Sequence, residues 1–180
     1  EKARAGLEQR VEKAWAERLS AIAKRRTPLL GVSEFANLDE LLPSAGSDVG
    51  RRESEQFEAL RARADALRPS AILVTLGAVS ETRARVGFSL NFLGAGGIRA
   101  RETATPEAAT VAVLCGTDER YATDAAAAAA ALKAAGCRRV LVAGRPGANE
   151  AELRAAGVDG FIFIGVDLID SLTQLLELYA

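Results

Sequence analysis

The chain has 180 residues, of which 49% are hydrophobic, enough for one good core and an appendage without covalent staples. Its 23 Lys and Arg against 24 Asp and Glu leave a net charge of -1, which offers no electrostatic footprint for a nucleic acid or an anionic membrane surface. No histidine occurs anywhere, so the neutral imidazole that best suits a late transition metal is missing. Cys115 and Cys137 are too few for a disulfide framework, which fits a reducing, cytoplasmic compartment. No charged segment followed by an apolar run opens the chain, and no stretch approaches the roughly 18 consecutive apolar residues of a membrane span. The opening residues Glu1-Lys2-Ala3-Arg4 lack an initiator Met and begin inside a helical pattern, as expected of a fragment of a longer polypeptide.

The organisation changes near residue 69, giving a helical and linker segment over 1–69 and an α/β domain over 70–180. Leu7, Val11, Ala14, Trp15, Leu19 and Ile22 recur at steps of three and four and predict one face of a helix that ends before Thr27-Pro28. A linker of Pro, Ser, Gly and charge from Pro43 to Glu55 leads to a second amphipathic segment, Phe57, Leu60, Ala64 and Leu67, which stops before Arg68-Pro69. These two helices either pack on the following domain or cover a missing part of the chain or another subunit.

From Ser70 the pattern alternates between short apolar runs and helical stretches. Ala71 to Leu76, Thr110 to Cys115, Arg139 to Ala143 and Gly160 to Ile164 are nearly continuous apolar runs, as parallel strands buried on both faces require. Ile98 to Glu102 alternates and predicts an edge strand. Helices are expected around Glu81 to Leu93, Glu119 to Ala135, Asn149 to Ala156 and Asp167 to Tyr179, with Gly94, Gly136 and Gly157 as stops. The natural architecture is a flavodoxin-like, doubly wound, five-stranded parallel sheet. Thr103 to Thr110 spans only 8 residues, too few for the usual helical crossover. Either a loop replaces that helix and leaves part of one sheet face uncovered, or residues are missing from the chain.

Ligands of such sheets sit beyond the carboxyl ends of the strands. After the first strand the chain reads Leu76-Gly77-Ala78-Val79-Ser80-Glu81-Thr82-Arg83-Ala84, with Ser80 expected as the cap of the next helix. Ser80 and Thr82 at a helix start make a flavin or phosphate cradle conceivable, but plain capping explains them better. Gly94-Ala95-Gly96-Gly97 follows a helix and precedes a strand, the reverse of the order a pyrophosphate needs, and reads as a helix stop. Arg145-Pro146-Gly147 after the fourth strand reads as an ordinary turn, a better account than an arginine placed at that rim to meet an anion. Asp118-Glu119, and Asp167 with Asp170, sit at helix starts, where carboxylates complement the dipole.

The run Arg25-Arg26-Thr27-Pro28-Leu29-Leu30-Gly31-Val32-Ser33-Glu34-Phe35, with Phe57-Glu58-Ala59-Leu60-Arg61, resembles the segment that joins barrel and C-terminal domain in small subunits of the methylmalonyl-CoA mutase family. The runs Ala134 to Gly147 and Ala155 to Phe163 are similar to the cobalamin-domain-like end of the same subunits, so the resemblance covers nearly the whole chain. It implies a degenerate cobalamin-binding domain in a diverged, inactive small subunit. The implied partner is a large subunit that holds adenosylcobalamin and interconverts methylmalonyl-CoA and succinyl-CoA by radical rearrangement. Cobalamin-binding members carry Asp-x-His-x-x-Gly after the first strand, the His ligating cobalt and the Asp orienting it. That motif falls here on Val79, Glu81 and Ala84. Valine cannot accept the imidazole N–H, glutamate offers a hard oxygen poorly matched to cobalt, and alanine adds a Cβ where the family has Gly. The resemblance therefore implies no catalytic, cofactor-binding or metal-ligating residue in this chain, and a structural role in assembling or stabilising the heterodimer. The alternative is a module that takes a corrinoid or another planar cofactor without His ligation. An independent flavodoxin-like enzyme would need polar groups that the strand ends lack.

Overall fold

The computed structural model describes residues 2–40 and 50–180. The stretch 43–49 of the expected linker lies outside the described residues. In chain order the elements are helices α1 (Lys2–Ala23) and α2 (Glu55–Leu67), strand β1 (Ser70–Leu76), α3 (Val79–Ala95), β2 (Arg99–Thr103), β3 (Val111–Gly116), α4 (Asp118–Thr123), α5 (Ala125–Ala134), β4 (Arg139–Ala143), α6 (Glu150–Ala155), β5 (Gly160–Ile162) and α7 (Leu168–Leu176), which runs into a 3-10 turn, Glu177–Tyr179. The five strands form one parallel sheet in the order β2-β1-β3-β4-β5, the flavodoxin-like order, with β2 at an edge as its alternation predicts.

Because side chains alternate across a strand, each apolar run feeds two cores at once. Leu73, Val113 and Leu141 stand side by side in register and enter one core, under α3 and α7. Ile72, Ala112 and Val140, with Val74, Leu114 and Val142, enter the other, under α4, α5 and α6. The alanines of α5 let that helix lie close to the sheet, with Ala125, Ala128 and Ala129 buried.

The two N-terminal helices differ in what they touch. Phe57, Leu60 and Ala64 of α2 are buried in the same core as Ala71 and Leu73. Helix α2 ends with Arg68 in the left-handed region (φ 48°), its N–H donating to Ala64 O at 2.7 Å, and Pro69 then leads directly into β1. Of the α1 stripe only its end is buried, at Ile22 and Ala23, whereas Leu7 and Val11 are 59% and 55% exposed. Side chains tether α1 at the chain just before α2: Arg18 pairs with Glu53 at 2.7 Å, and Arg51, paired with Glu12, lies 5.0 Å over the Trp15 ring. Beyond α1, Arg25 pairs with Glu34 at 2.9 Å and stacks 5.0 Å over Phe88 of α3, while Phe35 N–H donates to Asn91 Oδ1 at 2.7 Å.

The β2–β3 connection follows one of the two alternatives left open by the sequence, while several element boundaries depart from the sequence reading. A loop connects β2 to β3, held by Thr103 Oγ1 against Thr105 and by an Arg101–Glu107 ion pair at 2.5 Å. Ala109 of this loop packs on the second core, and Ile72 and Val74 are buried, so β1 has no open face. Helix α3 starts at Val79 with Ala78 as its cap, so Ser80 is its second residue rather than its cap. At its other end it runs through Gly94 to Ala95 and turns at Gly96-Gly97, where Gly97 takes φ 79°. The single helix expected over Glu119 to Ala135 is broken at Asp124, a weak helix former. Strand β5 stops at Ile162, and the chain turns at Gly165 with φ 113°. The expected stops at Gly136 and Gly157 are present, both with positive φ.

Candidate functional site

In this strand order the chain reverses direction across the sheet between β1 and β3, and the crevice beyond their carboxyl ends is where such folds take ligands. Gly77, at φ 111°, turns the chain from β1 into α3, and Gly116 ends β3 before Thr117 caps α4 by accepting Arg120 N–H at 3.3 Å. Glu81 in the first turn of α3 folds back, and its Oε2 accepts the Ala78 N–H at 2.7 Å. Ala78 has no side-chain acceptor, so this is the returning half of a capping box. Arg120, reaching over from α4, brings Nη2 to 3.4 Å from the same Glu81 oxygen and Nη1 to 3.4 Å from Asp124 Oδ2. A Cβ placed on Gly77 would lie 2.3 Å from Glu81 Oε2 and 2.9 Å from Arg120 Nε. The ion pair thus stands directly over Gly77 at the mouth of the crevice.

The positions singled out in this loop separate. Val79 is 75% exposed and has no polar group to offer, and Ala84 lies a turn further along α3, at the edge of a neighbouring cleft. Thr82 is 2% exposed, and its hydroxyl donates to Ala78 O at 3.3 Å inside the helix, so it cannot join Ser80 in a phosphate cradle. Asp167 caps α7 by accepting Asp170 N–H at 3.1 Å, and Asp118 and Glu119 lie in the first turn of α4, all in the capping roles expected of them.

The large cleft lies beside the crevice, over the ends of β4 and β5, with a volume of about 1000 Å³. Arg85 and Phe88 of α3, Asp118 and Tyr121 of α4, and Arg145 and Phe163 beyond β4 and β5 line it. Arg145 stacks 4.7 Å over the Phe163 ring and donates to Ile164 O at 3.2 Å, and Arg85 pairs with Asp118 at 3.1 Å. At its floor Tyr121 Oη accepts the Gly116 N–H at 3.0 Å and lies 2.9 Å from Ala143 O, to which it donates. Burial raises the Tyr121 phenol far above its ordinary range, so the group is a neutral tie between α4 and the sheet and not an acid or base. Burial likewise pushes the Cys115 thiol up to about 11, which leaves it a poor nucleophile at neutral pH. Among the described residues no three His, Cys, Asp or Glu side chains gather to hold a metal ion, and no helix is long and apolar enough to cross a membrane. Sequence reasoning missed Arg85, Phe88 and Arg120. Their only sequence signal is ordinary helix-surface composition; Arg85 and Phe88 line the cleft, whereas Arg120 stands at Glu81 beside it.

No protein-family model matches the chain. Curated relatives do. The methylmalonyl-CoA mutase small subunit of Streptomyces virginiae is 36% identical over 195 residues, which cover 93% of this chain and 30% of the relative. The probable methylmalonyl-CoA mutase small subunit of Mycobacterium tuberculosis is 36% identical over 182 residues, covering 89% of this chain and 29% of the relative. The small subunit of Propionibacterium freudenreichii subsp. shermanii is 30% identical over 187 residues, covering 91% and 29%. The chain belongs to the methylmalonyl-CoA mutase small-subunit family over the stretch that it spans, about 30% of the length of the curated relatives it matches.

Proposed function

We propose that this chain is a non-catalytic part of a methylmalonyl-CoA mutase small subunit, working in the cytoplasm, where it stabilises or assembles a heterodimer with the large subunit. Adenosylcobalamin, in this reading, belongs to that large subunit. The observation that carries it is the fate of position 81. Where the family's cobalamin-binding members have the cobalt-ligating His, this chain has a carboxylate bonded back to Ala78 N–H at 2.7 Å and neutralised by Arg120. The residues present do not fit a His-ligated corrinoid: the ligand is absent, its orienting carboxylate is replaced by the exposed Val79, and the space over Gly77 is filled. Two buried cores suit a scaffold whose worth lies in apolar burial, at roughly 25 cal/mol per Å².

The test removes residues 70–180 from the full small subunit and measures heterodimer yield, thermal stability and mutase activity of the complex. Lower yield and stability are expected; unchanged values of all three would sink the proposal. A second reading, a module that accepts a corrinoid or another planar cofactor without His ligation, draws support from the cleft over β4 and β5 with its stacked Arg145 and Phe163. Titration of the chain with hydroxocobalamin, followed by visible absorption and calorimetry, separates the two. No saturable binding is expected, and saturable binding favours the second reading.

A further inference from the structure

We propose that Arg120 plugs the β1/β3 crevice together with Glu81, so that the chain excludes a corrinoid through a fourth position, on a different loop from the three replaced ones. This rests on the non-catalytic reading above and adds to it. Restoring the three motif positions removes Glu81 but leaves Arg120. Its Nε stands 2.9 Å from where a Cβ on Gly77 would be, and its Cβ 3.2 Å from where one on Gly116 would be, so its side chain spans both glycine turns that frame the crevice. Its guanidinium also reaches the carboxylate of Glu81, in the first turn of α3, at 3.4 Å. A histidine introduced by Glu81→His takes the place of the carboxylate that Arg120 reaches, so its imidazole meets this cation. The guanidinium crowds that imidazole, and its charge opposes the approach of a cationic cobalt centre. The loss of the site is therefore an infilling as well as a loss of ligands.

The experiment compares three forms of the whole chain by titration with hydroxocobalamin, read by visible absorption and calorimetry, with folding checked by circular dichroism. The forms are wild type, the triple variant Val79→Asp, Glu81→His, Ala84→Gly, and the quadruple variant that adds Arg120→Ala. Arg120→Ser in the same background serves if the alanine version does not fold. The quadruple variant is expected to bind saturably with an imidazole-on spectrum, about tenfold or more tighter than the triple variant. Equal affinity of triple and quadruple variants overturns the proposal, and so does the absence of binding in both. Saturable binding by the wild type instead overturns the non-catalytic reading, which keeps the two failures apart.

Discussion

Gly77 is the residue at which the local conformation and the filled crevice constrain each other. Its φ of 111° disfavours any side chain, and a methyl group there meets the Glu81 carboxylate at 2.3 Å. Gly77→Ala is expected to cost about 1–3 kcal/mol of stability in denaturant unfolding. Part of that cost should vanish in the double variant with Glu81→Ala, because the 2.3 Å clash goes while the backbone strain and the 2.9 Å approach of Arg120 Nε stay. Cys115 makes a second prediction. Its thiol, buried beside Ser89 Oγ at 3.5 Å, titrates at about 11 when folded against an ordinary 9.0, so the folded state holds the proton longer than the unfolded one. The stability contribution is complete below pH 9 and is lost as pH rises toward 11. Cys115→Ala should flatten the alkaline fall in stability by up to about 2–3 kcal/mol, measured by urea unfolding across that range.

The N-terminal helices show why amphipathic periodicity alone does not say what an element does. Both α1 and α2 carry apolar residues at helical spacing, yet α2 inserts Phe57, Leu60 and Ala64 into the sheet's core, whereas α1 leaves Leu7 and Val11 exposed. Phe57→Ala is therefore expected to destabilise the chain by about 3–5 kcal/mol, while Leu7→Ala should stay within about 0.5 kcal/mol, both read from thermal or urea unfolding. The β2–β3 connection makes a related point. A loop with an inward alanine, Ala109, closes over β1 where a helix is customary, because β2 is a short polar edge strand and β1 turns only Ile72, Val74 and Leu76 to that core.

At the scale of the molecule, one face of the sheet depends on residues from both sides of position 69. Ile22, Phe57, Leu60 and Ala64 share a core with Leu73, Leu93 and Leu172. A truncated chain of residues 70–180 is expected to melt at least several degrees below the intact chain, because that core loses its cover and exposes apolar surface. Equal melting temperatures would show that α2 contributes nothing to the fold. The strands and their parallel, doubly wound arrangement were determined by the sequence alone, since uninterrupted apolar runs separated by helical stretches have few other ways to bury both faces. The replacements Val79, Glu81 and Ala84 and the lack of any histidine were equally legible, since they are residue identities. Helix ends were less so: Ser80 and Gly94 are each sound local signals, overruled where packing extends α3 by a turn's fraction at either end. Only the tertiary structure decided that α2 is core and most of α1 is surface, and that Arg120 meets Glu81 over Gly77. Those contacts join residues far apart in the chain, 39 positions in the case of Arg120 and Glu81, and no local pattern encodes which distant side chain a strand pairing will place alongside.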